Sequence, residues 1–143
     1  MPDAHRSRAE WDGDRAAILL ERSLQTGNRA TLEQAVALLR RALAATSASE
    51  PQRGLYLSNL GAALQTRFRR TGKIADLNEA IQTITEALKA SAAGDSGRAT
   101  DLSNLGYSLR LRFEQTGDMA DLTEAIRLGR AAVEAAAPDE ERF

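Results

Sequence analysis

The chain has 143 residues, a formal net charge of -1, no cysteine, one His and 4% aromatic residues. The missing cysteine excludes a disulfide framework, a thiolate metal site and a cysteine nucleophile. The near-zero charge argues against a nucleic-acid binder, which usually carries a strong basic excess, and no apolar run approaches the roughly 18–20 residues of a membrane span. The first residues, Met1 to Arg6, contain no apolar stretch resembling a signal peptide. Ala and Leu together supply about a third of the chain. These features predict one soluble, cytoplasmic, all-α domain without membrane contact.

In chain order, residues 1–7 read as a flexible polar tail, in which His5 has no second ligand at a useful spacing. Ser7 and Glu10, three apart, form a capping box that opens a first helix over 8–25. Trp11, near its start, is expected to cover the open end of the domain. A second helix over 32–47 opens on Thr31 and Gln34. Ser49 with Gln52, and Pro51 in the first turn, open a third over 50–70. Leu57, Leu60, Leu64 and Phe68 share one face of it, and Thr71-Gly72 stops it with a glycine suited to a left-handed cap. Asp76 and Glu79 box the start of a fourth helix over 77–92, whose core face runs Leu77, Ala80, Ile81, Ile84, Ala87, Leu88. Gly94-Asp95-Ser96-Gly97 reads as a loop. A fifth helix over 97–115 follows, then a sixth over 122–137, opened by Asp121 and Glu124 and ended by Pro138. Nothing alternates with period two, so no strand is expected.

The chain repeats itself. Leu57-Ser58-Asn59-Leu60-Gly61 recurs as Leu102-Ser103-Asn104-Leu105-Gly106, an offset of 45 residues. Aligned without a gap, residues 53–97 and 98–142 agree at about 20 positions. A third, divergent copy occupies 8–52, where Arg22, Thr26-Gly27, Leu32, Ala35 and Ala42 keep the register. Each copy is a pair of helices, and three pairs stacked together bury a continuous core. Gly61 and Gly106 stand in helix interiors, where glycine costs about 1 kcal/mol against Ala. Close approach to the paired helix at Ala80 and Ala125 would account for both. Arg22, Arg67 and Arg112 recur near the end of each first helix, where a cation suits the helix dipole, and Asp76 and Asp121 are candidate partners for the last two. Arg69, Arg70 and Lys73 make the second turn locally basic, which leaves open an anion or small-molecule site there.

Leu60-Gly61 followed by Ala80, Ile84 and Ala87, with Ala35, Leu39 and Ala42 in the first copy, resembles the tetratricopeptide repeat. Gly129 takes the middle position in the third copy and should loosen that contact. The period of 45 exceeds the usual 34. It is most similar to the repeats of kinesin light chains and to those with Arg-Phe-x-x-Thr-Gly-x-x-x-Asp-Leu-x-x-Ala-Ile in bacterial and fungal signalling proteins that carry a caspase-like CHAT protease. The resemblance implies a tetratricopeptide-like superhelical solenoid of three antiparallel hairpins over 8–143, with repeats 8–52, 53–97 and 98–142. It implies a protein- or peptide-binding scaffold in a signalling or regulatory assembly, without cofactor or metal. The protease chemistry needs a Cys–His dyad and does not carry over to a cysteine-free chain. No serine triad, phosphate loop or paired acid motif is present, so the chain is not expected to be an enzyme.

In that family the first helices line a concave groove, and an Asn before the Leu-Gly pair often contacts ligand backbone. The corresponding residues are Asn59 and Asn104, whose amides can both donate and accept. The same two residues could instead bond neighbouring helices. The groove so drawn carries Asp14, Glu21, Ser58, Asn59, Gln65, Ser103, Asn104, Tyr107 and Arg110. The last helix presents Ile126, Leu128 and Val133 as an end face suited to self-association. This gives a second function class, a structural or oligomerisation module acting through its ends.

Overall fold

The structure, a computed structural model, describes residues 7–92 and 94–137. The expectations for His5, the rest of the tail and Pro138 fall outside these residues. The chain forms α1 (Arg8–Thr26), α2 (Arg29–Ala44), α3 (Gln52–Thr71), α4 (Ile74–Ala90), α5 (Arg98–Thr116) and α6 (Met119–Ala136), with no strand among the described residues. The glycine stops act as expected. Gly27, Gly72 and Gly117 adopt left-handed φ of 71°, 74° and 76°, and their N–H groups donate to the carbonyls of Ser23, Phe68 and Phe113. Beside each, a threonine hydroxyl (Thr26, Thr71, Thr116) donates to the carbonyl four residues back and accepts from the amide two residues on. Each turn is thus tied on both sides and reverses the chain within two residues.

The second helices start earlier than the capping boxes predict. Asp76 and Asp121 lie inside α4 and α6, in the first turn, and Thr31 lies inside α2. Asn28 and Asp118 are the caps instead, accepting from the amides of Thr31 and Ala120, while Lys73 offers no side-chain cap. All three second helices begin two residues before the expected cap, which leaves Thr31, Asp76 and Asp121 inside the first turn. There Arg67 and Arg112 engage both oxygens of Asp76 and Asp121. Ser49 also fails as a cap, since α3 begins after Pro51 with no side-chain bond. Ser7 is the box serine that holds, accepting from the Glu10 amide at 3.1 Å.

The helices pack as three hairpins, α1–α2, α3–α4 and α5–α6, joined through α2–α3 and α4–α5 contacts. The backbones of α1 and α3, and of α3 and α5, also meet, whereas those of α2, α4 and α6 stay apart. The first helices therefore form one continuous row. The expected core faces are buried: Leu57, Leu60, Leu64 and Phe68 on α3, Leu77, Ala80, Ile84 and Ala87 on α4. Gly61 shows why small size matters here. A Cβ at that position would overlap Ile84, and one on Gly106 would sit 3.3 Å from the Ala125 carbonyl. Gly129 differs, with nothing within 4 Å of a Cβ. An exposed glycine thus replaces the Ile84 knob, and α6 buries little beyond Asp121, Leu128 and Ala132.

Candidate functional site

Helical spacing sorts α3 into faces. Leu55, Asn59, Ala62, Thr66 and Arg69 recur every three to four residues and are all exposed or partly exposed. The matching stripe on α5 is Thr100, Asn104, Tyr107, Leu111 and Glu114, and on α1 it is Glu10, Asp14, Ala17, Glu21 and Leu24. These three stripes lie along the row of first helices. The side-chain amides of Asn59 and Asn104 make no hydrogen bond among the described residues, although the Asn104 backbone carbonyl accepts from Gln65. Tyr107 lies between two cations: the Arg110 guanidinium carbon is 5.1 Å from the ring centroid and that of Arg69, on α3, is 5.9 Å away. Such contacts are worth about 0.5–1 kcal/mol at exposed sites. Asp14 and Glu21 are exposed on α1, so the row is acidic at its α1 side and basic between α3 and α5.

Other expected groove residues are used within the fold. Gln65 is buried and donates to the Ser108 hydroxyl at 2.7 Å and the Asn104 carbonyl at 3.1 Å, sealing α3 to α5. Ser58 donates to Asp101 Oδ2 at 2.9 Å across the same seam. Burial holds the Asp101 carboxyl above the usual carboxylate range, and the Ser58 bond offsets part of this. Ser103, one repeat on from Ser58, is exposed. Of the basic turn, Arg70 is committed to α1 through the Ser23 carbonyl at 2.9 Å, and Arg69 to Tyr107. Among the end-face residues, Ile126 and Val133 are exposed, but Leu128 is buried in the α5–α6 core and points away from that face.

Sequence reasoning missed three groups. Leu55 extends the stripe of Asn59, a relation available from the spacing alone. Arg53 and Arg98 are identical at the 45-residue offset and grip the end of the preceding hairpin. Arg53 donates to the Leu43 and Thr46 carbonyls, Arg98 to the Leu88 carbonyl and Ser91 hydroxyl. Asp12 replaces the leucine of the other copies and is held by Arg41, both bonds 2.8 Å, which keeps its carboxyl below the usual range.

A separate cleft of about 1050 Å³ opens between α4 and α6, with Leu102, Leu105 and Leu109 of α5 on its floor. The equivalent space one repeat earlier is bridged by Arg40 and Glu79 at 2.8 Å. In the cleft, Thr85 replaces the arginine and Glu124 turns to Arg127 on its own helix. Three of its charged lining residues are used within the fold, Arg127 with Glu124, and Arg98 at the end of α4. No group of three or more His, Asp or Glu side chains suited to a metal ion occurs among the described residues, and none of the described helices is long and apolar enough to cross a membrane. No family model matches the sequence, and no curated protein matches it.

Proposed function

We propose that the row of α1, α3 and α5 is the concave face of a tetratricopeptide-like array and that it holds an extended protein segment, making the chain a scaffold module of a regulatory assembly rather than an enzyme. The observation that carries this reading is the pair Asn59 and Asn104. They recur at the repeat offset, lie on the face shared by the first helices, and make no intramolecular side-chain bond among the described residues. An amide in that state supplies one donor and one acceptor to a peptide unit whatever its side chain. Leu55 and Leu111 add apolar contact, and the Arg69–Tyr107–Arg110 cluster offers cations to an acidic residue of the segment. Asp14 and Glu21 would select a basic residue further along.

The test is a selection of random linear peptides displayed on phage against the full chain. Peptides enriched by the wild type should bind at least tenfold more weakly to the Asn59→Ala/Asn104→Ala double variant, with its melting midpoint within a few degrees of wild type. Enrichment of nothing, or binding unchanged in the double variant, would overturn the reading.

A further inference from the structure

The joints between hairpins use the same positions twice, and each has a third member on an outer face. The first joint device is the arginine clamp. Arg53 reaches the end of α2 at the Leu43 carbonyl, 3.2 Å away, and Arg98 reaches the end of α4 at the Leu88 carbonyl, 3.3 Å away. The residue 45 before Arg53 is Arg8, whose side chain is 79% exposed. The residue 45 after Leu88 is Val133, in the last turn of α6. The second device is a cross-joint bond at the first-helix arginine. Arg67 donates to Glu33 on α2, and Arg112 to Asn78 on α4. The third pair in that series is Arg22, exposed on α1, and the Thr123 hydroxyl, exposed on α6.

The apolar surfaces follow the same rule. Ile81 and Leu88 of α4 pack into the core of the next hairpin, against α5. Their counterparts on α6 are Ile126 and Val133, 51% and 74% exposed. On the receiving side, Tyr56 and Ala63 of α3 are buried against the preceding hairpin, Tyr56 over Gly13. Their counterparts on α1 are Trp11 and Ile18, 47% and 60% exposed. One face thus offers the acceptors and apolar residues of a second helix, and the other offers the arginines and apolar residues of a first helix.

We infer that a second copy of this chain docks head to tail, its α1 on the α5–α6 hairpin in the register of the internal joints, with Arg8 on the Val133 carbonyl, Arg22 near Thr123, Trp11 over Ser103 as Tyr56 lies over Gly13, and Ile126 and Val133 against the incoming α1. The joint is heterologous, since the two faces differ, and so it propagates into longer assemblies instead of closing as a two-fold dimer. It leaves the Asn59–Asn104 face open and stands independently of the function proposed above.

Sedimentation of the full chain over a rising concentration series tests this. The wild type should show mass increasing past the dimer. A head-blocked variant, Trp11→Asp/Ile18→Asp, and a tail-blocked variant, Ile126→Asp/Val133→Asp, should each be monomeric alone with unchanged helical circular dichroism. Mixed at equal concentration they should form a dimer and nothing larger, since one intact head and one intact tail remain. Arg8→Ala should weaken association at least several-fold. Should either blocked variant lose its helical signal, Arg8→Ala and Arg22→Ala, which alter exposed side chains, carry the test alone. A monomeric wild type at high micromolar concentration overturns the inference. So does a head-blocked variant that still self-associates, since that marks a tail-to-tail contact.

Discussion

Arg112 grips Asp121 across the α5–α6 turn, Nε to Oδ2 at 2.8 Å and Nη2 to Oδ1 at 2.9 Å. Arg67 and Asp76 repeat this bidentate geometry one hairpin earlier, at 2.9 and 2.8 Å. The pair joins the last turns of a first helix to the first turn of its partner. In the first hairpin Thr31 stands where the aspartate would be, and Arg22 is exposed.

These pairs should therefore carry unequal weight in stability. Removing Arg67 leaves the buried Asp76 carboxylate without its fork, and Arg67→Met should cost about 2–3 kcal/mol. Arg22→Met, with no carboxylate to strand, should change stability by less than about 0.5 kcal/mol. Urea denaturation of the two variants measures the contrast.

The pH response has two opposing contributions. The Arg112 hydrogen bond holds the Asp121 carboxyl below its ordinary value, against an opposing effect of burial. A group lowered in the folded state stabilises the fold above its unfolded value and loses that contribution as pH falls through the folded one. Acidification below about pH 4 should therefore destabilise the chain, and Arg112→Met should flatten that dependence. Asp101 has the opposite sign, because burial raises its carboxyl. Its contribution is fully present below the unfolded value and is lost as pH rises through the folded one. Asp101→Asn keeps an acceptor for Ser58, so it should stabilise the chain at pH 7, with the gain shrinking toward pH 3. Urea midpoints at several pH values report both effects.

The glycines separate packing from propensity. Gly61→Ala forces a methyl into Ile84 and should lose about 1–2 kcal/mol even after the gain in helix propensity. Gly129→Ala meets open space on an exposed helix and should gain about 1 kcal/mol. Thermal melts distinguish them by the sign of the shift. A double-variant cycle of Gly61→Ala with Ile84→Ala should show favourable coupling, since the clash partner is gone.

Gln65 and the two asparagines should also part company. Gln65→Ala removes two buried hydrogen bonds across the α3–α5 seam and should cost about 1–3 kcal/mol. Asn59→Ala and Asn104→Ala remove no intramolecular side-chain bond and should each cost less than about 0.5 kcal/mol. A large loss of stability in the asparagine variants would place these amides in the fold instead of on a ligand.

Much of this organisation is legible in the residues themselves. The 45-residue offset, the six helices, the glycine stops and the buried faces of α3 and α4 follow from periodicity and local backbone chemistry, which depend on neighbours a few residues apart. The partnership of arginine and aspartate was visible as a candidate, but its consequence was not. A capping role for Asp76 needs the helix to begin after it; in the fold α4 begins at Ile74, and the carboxylate is taken by Arg67. The same holds for Gln65 and Asn59, both polar and both on α3. One lies against α5 and is consumed there, while the other sits a few residues away on the open stripe.

Sequence alone therefore determined the repeat, the all-α class and the candidate asparagines, because these rest on spacing along one chain. Tertiary structure decided where each second helix begins, which polar residues the joints absorb, and that Leu128 faces inward while Ile126 and Val133 face out. Those outcomes depend on which helix lies beside which, since burial and hydrogen bonding are settled by neighbours distant in sequence.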